Sequence, residues 1–181
     1  MYSSFQERRF FHSRRDIMQV RKATEQDAAQ ITLVMQDAEA SGFMLFNPGE
    51  RQMEPASLSK IINSFNKAPN SGFFIAQEND EILGYLMLKG DNLMRTSHRA
   101  AIALGVHSKS RGKGVGTQLF EYVISWAKQQ SLHRLELTVI EHNEQAIHLY
   151  KKMGFEVEGI KKDSLLINDQ YVNELYMSKM L

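Results

Sequence analysis

A mixed α/β fold in one layered domain is predicted from the sequence on three observations. Apolar residues recur in turn at the two-residue spacing of strands and at the three- and four-residue spacing of helices. A glycine-rich turn, residues 106–117, joins an apolar strand to a helical segment. The 181 residues suit a single domain that could bury roughly 70% of its unfolded surface. The predicted order begins β-α-α-β-β-β-α-β-α and closes with strands, without an internal repeat or linker.

The composition excludes several classes of protein. A hydrophobic content of 43% with 24% charged residues is typical of an ordinary globular chain, and the net charge of +1 gives no reason to expect nucleic acid or a membrane surface as a partner. The absence of cysteine excludes disulfides, thiolate metal sites and a cysteine nucleophile. The six histidines show no metal-binding spacing, so no metal is expected. No apolar run approaches the roughly 18 residues of a membrane span, and we expect a cytoplasmic protein.

Residues 1–17 differ from the rest of the chain. They carry four arginines, at positions 8, 9, 14 and 15, with phenylalanines between them. Such an arm could touch nucleic acid or direct the chain to an organelle. Because Met18 directly precedes the first predicted strand, we interpret residues 1–17 as a disordered extension and residues 18–181 as the domain.

The first part of the domain is predicted to hold a strand and two helices. The strand covers residues 19–22, and Thr24-Glu25-Gln26-Asp27 resembles a capping box at the start of a helix that ends at Ser41-Gly42. Residues 43–54 are irregular. Pro55 fits the first turn of the second helix, which stops before a Pro-Asn-Ser-Gly turn.

Strands dominate the second part. Residues 73–77 and 82–88 form a predicted hairpin, and residues 98–106 the strand before the glycine-rich turn. Residues 132–139 alternate as a strand, and a helix over 144–153 ends at a glycine. Three further strands are predicted at residues 155–159, 164–167 and 171–180.

The spacing of the glycines limits which phosphate-containing ligands the turn could bind. A strand, a glycine-rich turn and a helix N-terminus together favour phosphate binding. Gly112, Gly114 and Gly116 alternate, which fits neither the dinucleotide fingerprint nor the P-loop. The pattern Arg111-x-x-Gly114-x-Gly116 resembles [QR]-x-x-G-x-[GA], the acyl-CoA pyrophosphate loop of the GNAT superfamily of N-acetyltransferases. A turn without a ligand is the alternative reading of these residues.

A second motif lies about 27 residues after the loop. The segment Asn143 to Phe155 is similar to the GNAT signature N-x-x-A-x-x-L-Y-x-x-x-G-F. The resemblance implies a mostly antiparallel sheet of about six or seven strands, flanked by about four helices and splayed between the fourth and fifth strands. It also implies acetyl-CoA as the co-substrate.

The resemblance further implies a set of site residues. The backbone N–H of Val106 corresponds to the family's oxyanion donor, Tyr150 to its general acid, and Asn143 to a position that contacts the cofactor arm. Alternatively, Tyr150 packs in the core, Asn143 only caps its helix and Arg111 is a solvated arginine. The predicted cofactor-binding residues are Leu104, Val106, Arg111, Gly112, Lys113, Gly114, Val115, Gly116, Thr117, Asn143 and Tyr150.

The general base and the acceptor are less well specified by the sequence. Glu136, on the polar face of its strand, is a tentative base, and Glu141 and His98 flank the expected cleft. We expect the acceptor to be the primary amine of a small molecule such as an amino acid, a polyamine or an antibiotic. The alternatives are a protein N-terminus or lysine, a CoA-binding sensor without turnover, and a nucleic-acid-binding module. A homodimer is compatible with each of them.

Overall fold

A seven-stranded sheet forms the centre of the structure, a computed structural model that describes residues 17–181. The strands are β1 (Gln19–Lys22), β2 (Gly72–Glu78), β3 (Glu81–Gly90), β4 (Arg99–Val106), β5 (Arg134–Ile140), β6 (Glu156–Ile167) and β7 (Gln170–Met180). The α-helices are α1 (Ala28–Glu39), α2 (Pro55–Lys67), α3 (Val115–Gln129) and α4 (Glu144–Lys152). The strand order is β1-β2-β3-β4-β5-β7-β6, and every neighbouring pair is antiparallel except β4 and β5. The predicted fold class is confirmed.

The parallel pair β4 and β5 separates along its length. Pairing is confined to three positions, from Arg99 opposite Arg134 to Ala101 opposite Glu136. Beyond them β4 stays paired with β3 as far as Val106, and β5 with β7 as far as Ile140. The sheet is therefore open between the carboxyl ends of β4 and β5, which is the predicted splay.

Helices cover the sheet on two faces, and each face has its own apolar core. Alternation along β2 sends Phe74 to the side of α3 and α4, and Phe73 to the side of α1 and α2. Leu119 of α3 and Ile31 of α1 are fully buried on these two sides. Burial of a side chain of this size contributes about 1.5–3 kcal/mol, so both helix layers are held mainly by apolar contact.

The end of the chain differs from the prediction in one respect. Residues 155–159 and 164–167 were expected as two strands, but a single strand, β6, runs through both. Lys161 pairs with Glu174 and Leu165 with Val172, so three residues of β6 bulge opposite one residue of β7. A bulge interrupts the side-chain alternation without ending the strand, and the interruption resembles a turn in the sequence.

Two further expectations concern the N-terminal part of the chain. The capping box at Thr24 is confirmed, because the Thr24 N–H donates to Asp27 Oδ2 over 2.6 Å. The extension predicted for residues 1–17 lies, except for its last residue, outside the described residues. Within residues 17–181, none of the helices combines the length and the apolar character that a bilayer crossing requires.

Candidate active site

A cleft of about 620 Å³ lies where β4 and β5 separate. Its walls are the end of β4, the glycine-rich loop with the start of α3, the end of β5, the inner face of α4, and the segment that follows α1. The lining residues used below are Phe43, Met44, Leu45, Leu104, Val106, Arg111, Gly112, Gly114, Val115, Gly116, Thr117, Thr138, Ile140, Asn143, Leu149, Tyr150, Leu165 and Glu174.

The end of β4 offers backbone hydrogen-bonding groups to this cleft. The N–H of His107 donates to the Leu83 carbonyl over 2.9 Å, and Val106 lies opposite Gly84. Because bonded and non-bonded pairs alternate between antiparallel strands, the N–H and C=O of Val106 point away from β3, toward the gap. Consistent with this, Arg111 Nε donates to the Val106 carbonyl over 3.2 Å. The N–H of Leu104, two residues earlier, points the same way.

The glycine-rich loop adds the N-terminus of α3. Gly112 and Gly114 have φ of 76° and 82°, a backbone conformation that side-chain-bearing residues rarely adopt. Gly114 caps α3, and its carbonyl accepts from the Gln118 N–H over 3.0 Å. The N–H groups of Val115, Gly116 and Thr117 are therefore the free donors of the first helical turn.

Space around the loop suits a bound phosphate. A Cβ at Gly112 or Gly114 would have no neighbour within 4 Å, so the backbone there faces open space. A Cβ at Gly116 would instead lie 2.7 Å from Leu149 Cδ2, which shows that α3 and α4 approach closely at this point. Free N–H donors, the positive end of the helix dipole and an unobstructed backbone fit an anion such as a pyrophosphate. Lys113, predicted with the loop, is exposed and does not line the cleft.

Tyr150 of α4 is buried but reaches the cleft. Its ring contacts Phe120 edge-on, with centroids 5.6 Å apart, and lies 6.2 Å from Phe155. Burial raises the pKa of Tyr150 to about 12, because the phenolate would be poorly solvated. The side chain is therefore both packed and a protonated donor at neutral pH.

Asn143 caps its helix and also lies at the cleft. Its Oδ1 accepts from the Ala146 N–H over 3.2 Å, which caps α4. The residue also lines the cleft. Capping and contact with a ligand are thus compatible at this position.

The family model of the acetyltransferase (GNAT) family matches residues 34–155, two thirds of the chain. The chain belongs to the GNAT family. The matched range includes both the glycine-rich loop and α4, so the backbone donors and Tyr150 described above lie within it.

Relatives with assigned activities differ in their acceptors. The L-amino acid N-acetyltransferase AaaT of Escherichia coli is 35% identical over 104 residues, which cover 55% of this chain and 62% of AaaT. The spermidine N(1)-acetyltransferase of Escherichia coli is 35% identical over 80 residues, 44% of this chain and 43% of the relative. The matches to these two proteins therefore span less than two thirds of their length.

Solved GNAT structures show the same fold. A GNAT acetyltransferase from Streptococcus pneumoniae superposes with a TM-score of 0.86 at 23% identity, over 91% of this chain and 99% of that one. The structure of yncA from Salmonella typhimurium with its cofactor acetyl-CoA superposes with a TM-score of 0.83 at 19% identity, over 91% and 94% of the two chains.

The carboxylates and the histidine considered as bases lie outside the GNAT cleft lining. Glu136 is in the paired part of β5, where Arg134 Nε donates to it over 3.0 Å and Arg99 lies 3.7 Å away. Glu141 accepts from Asn173 Nδ2 over 3.2 Å. The ring of His98 faces His133 near the start of β4. None of these geometries directs a base at the gap between β4 and β5.

A carboxylate that the sequence reasoning missed does line the cleft. Glu174 of β7 lies opposite Ile140 and is almost fully buried. Its Oε2 accepts from Ser164 Oγ over 2.9 Å and from Lys161 Nζ over 3.2 Å. Burial opposes its ionisation, but the neighbouring Thr138 and these two bonds keep the pKa of Glu174 below its usual value. Glu174 belongs to no local motif, so only the register of three strands reveals it.

The segment after α1 forms the outer wall. Phe43, Met44 and Leu45 line the cleft, and the Phe43 ring lies 5.8 Å from that of His142 in the β5–α4 loop. Arg51 anchors this segment, because it forms an ion pair with the buried Glu39 and also lies over the Phe46 ring.

Proposed function

We propose that this chain is an acetyl-CoA-dependent N-acetyltransferase that acetylates the primary amine of a small molecule by direct attack in a ternary complex. One observation carries the proposal: free backbone donors of β4, the loop at the start of α3 and the Tyr150 hydroxyl all converge on one cleft in a GNAT fold. The yncA structure, with its cofactor acetyl-CoA and the same fold, supports the choice of co-substrate.

The residues present can hold acetyl-CoA along its length. The N–H groups of Val115, Gly116 and Thr117 would bind the pyrophosphate, and Arg111 lies beside them. The pantetheine arm carries amides, which match the backbone N–H and C=O of Leu104 in the gap. Asn143 would contact the arm from the start of α4.

Acetyl transfer then needs three groups. The neutral amine attacks the thioester carbonyl, and the oxygen that gains negative charge accepts from the Val106 N–H. Attack forms the new carbon–nitrogen bond. The tetrahedral intermediate then collapses with cleavage of the carbon–sulfur bond, and Tyr150 gives its proton to the departing thiolate. Its raised pKa keeps this proton in place at neutral pH. Glu136 is not assigned the base role, since it is paired with two arginines outside the cleft lining. The attacking nitrogen loses its proton to solvent at the cleft mouth, and solvent returns a proton to Tyr150.

A small acceptor is favoured over a peptide by the outer wall. The contact between Phe43 and His142 joins the segment after α1 to the β5–α4 loop and narrows the path that an extended peptide would need. Protein acetylation is the second candidate, because a peptidyl-lysine N-acetyltransferase, YjaB of Escherichia coli, is 34% identical over 103 residues. A CoA-binding sensor is less well supported, since Tyr150 and the cleft are both intact.

Two measurements test the proposal. Acetyl-CoA at 100 times its dissociation constant should stabilise the chain by about 2.7 kcal/mol in a thermal-shift series, whereas ATP and NAD should not. Release of free CoA should then be followed with amino acids, polyamines, aminoglycosides and peptides as acceptors. Stabilisation by ATP without stabilisation by acetyl-CoA would contradict the proposal, and turnover with peptides alone would replace the small acceptor with a protein.

A further inference from the structure

One carboxylate of α1 bonds directly to the turn that leads from β4 into the glycine-rich loop. Asp37 lies in the last turn of α1, and its Oδ2 accepts from the Ser108 N–H over 2.5 Å. Its Oδ1 accepts from the Ser108 hydroxyl over 2.7 Å. The two residues are 71 positions apart in the sequence. The contact is therefore a tertiary one, which joins α1 to the segment that follows β4.

Ser108 lies between the two sets of backbone donors that the proposed function uses. Val106, whose N–H is the proposed oxyanion donor, is two residues before it. The Ser108 carbonyl accepts from the Arg111 N–H over 3.3 Å, and Arg111 Nε donates to the Val106 carbonyl over 3.2 Å. Gly114, three residues after Arg111, caps α3. A shift of Ser108 would therefore displace the end of β4 and the start of α3 together.

Packing leaves this part of the loop open. A Cβ at Gly114 would meet no atom within 4 Å, so neighbouring side chains do not fix the backbone there. Among the side-chain hydrogen bonds within residues 17–181, the two described above are the only ones that link residues 107–114 to a distant part of the chain. By contrast, α1 is held by the core, in which Met35 and Ala38 are buried. The carboxylate thus ties an open loop to a firmly packed helix.

The charge of Asp37 does not explain its place beside a phosphate-binding loop. Burial opposes its ionisation, but the two bonds from Ser108 keep the pKa of Asp37 below its usual value. The nearby His107 and Arg111 lower it further. Asp37 is therefore an anion at neutral pH, and it would repel a pyrophosphate bound at the loop. What accounts for an anion at this position is the geometry that it imposes on Ser108.

We infer that Asp37 is a positioning residue that holds the turn between β4 and α3 in the geometry that acetyl-CoA requires. Asp37 itself is outside the cleft lining. It acts through Ser108 on the Val106 N–H and on the N–H groups at the start of α3. This inference rests on the proposed acetyltransferase function, in which those groups meet the thioester oxygen and the pyrophosphate.

Asp37→Ala removes both bonds and tests the inference directly. The dissociation constant for acetyl-CoA, measured by calorimetry, should rise about 10-fold, as for the loss of a few N–H contacts. The single-turnover rate at saturating acetyl-CoA should fall about 10–100-fold, the range expected when a catalytic donor is misplaced by about 1 Å.

Asp37→Asn separates the geometry from the charge. The amide has the shape of the carboxylate, and it can accept from the Ser108 N–H and donate to the Ser108 hydroxyl. This variant should therefore recover most of the affinity and most of the rate that Asp37→Ala loses. A carboxylate with a merely structural role would change the melting temperature and leave both quantities at their wild-type values.

Asp27→Ala is the matched control at the opposite end of α1. Asp27 accepts from the Thr24 N–H over 2.6 Å and from the Thr24 hydroxyl over 2.9 Å, which is the same two-bond arrangement. It does not line the cleft. The control should lower the melting temperature, with the affinity for acetyl-CoA and the single-turnover rate unchanged.

Several results would decide against the inference. Wild-type affinity and rate in Asp37→Ala would overturn it while the proposed function stands. Tighter binding by both Asp37 variants would overturn it as well, because the carboxylate would then act only through its charge. If Asp37→Ala does not fold, Ser108→Ala, which removes the hydroxyl bond alone, decides instead: binding about 3-fold weaker supports the inference, and unchanged binding overturns it. If the wild-type chain does not bind acetyl-CoA, the proposed function fails and the inference fails with it.

Discussion

The two sides of the cleft, called the cofactor side and the acceptor side after the proposed function, are built from different groups. The cofactor side, formed by β4, the glycine-rich loop and the start of α3, presents backbone N–H groups at Val106 and at residues 115–117. The acceptor side, formed by the segment after α1 with β6 and β7, presents side chains, notably Phe43 and Glu174. Backbone donors require glycines at fixed spacing, so the cofactor side has a recognisable motif. Side-chain groups on separate strands require none, which leaves the acceptor side free to differ between relatives.

Tyr150 lies between the two sides, and its removal should have the largest effect. Tyr150→Phe keeps the ring packing against Phe120 and deletes the proton donor. The rate of acetyl transfer should fall by roughly 10²–10⁴, the range for a general acid, with acetyl-CoA affinity nearly unchanged. Single-turnover kinetics from pH 6 to 9 would check this.

Tyr85→Phe is the control for that experiment. Tyr85 is also buried, at 1% exposure against 9% for Tyr150, and burial raises its pKa to about 12 as well, but it does not line the cleft. Its replacement should alter the melting temperature and leave the chemical step intact. Equal single-turnover rates for wild type and Tyr150→Phe would exclude the acid role.

On the cofactor side, Gly114→Val should weaken acetyl-CoA binding. Three N–H contacts of about 0.3–1 kcal/mol each depend on this backbone, so calorimetry should show an affinity loss of about 10–100-fold. The left-handed backbone also costs the variant about 1–2 kcal/mol of stability. Gly49→Val imposes the same backbone cost at φ 79°, outside the cleft, and should bind acetyl-CoA normally. If Gly114→Val bound acetyl-CoA with unaltered affinity, the loop would be a turn without a role in cofactor binding.

On the acceptor side, Arg51→Met should free the segment that carries Phe43. The variant leaves Glu39 buried without its cation, which should cost about 3 kcal/mol in urea unfolding. The KM for the acceptor should rise several-fold and that for acetyl-CoA should not change. Arg51→Lys keeps the charge, so it should lose less stability and show a smaller rise in the KM for the acceptor. A rise in both KM values would show that the two sides are not independent.

The smallest effect is expected outside both sides, at Asp27. Arg21 donates two hydrogen bonds of 2.8 Å to this carboxylate. They outweigh the opposing effect of burial and lower the pKa of Asp27 to about 2. The pair is partly exposed, so Asp27→Asn should cost less than about 1 kcal/mol at pH 7. A lowered folded pKa stabilises the chain above the unfolded value near 4, and this gain is lost as the pH falls toward 2. The difference in melting temperature should shrink over that range, with kcat and both KM values unchanged. A difference independent of pH would contradict the ion-pair explanation.

The contrast between the two sides also separates what could be predicted from the sequence from what could not. The order of the elements, the loop at Gly114 and the helix that carries Tyr150 are local: each depends on residues within about one element, and the periodicity and spacing that specify them are visible in the chain. The open sheet followed from the family resemblance and is confirmed.

Only the tertiary structure decided which carboxylate lines the cleft. Glu136 stands in a strand that alternates polar and apolar residues, whereas β7 does not alternate around Glu174, and neither pattern marks its glutamate as part of a cleft. The short pairing of β4 with β5 places Glu136 beside two arginines, whereas the cleft begins beyond it. The β6 bulge and the β5–β7–β6 register bring Lys161, Ser164 and Thr138 to Glu174. Contacts between strands separated along the chain depend on register, and register is settled only when the whole sheet packs.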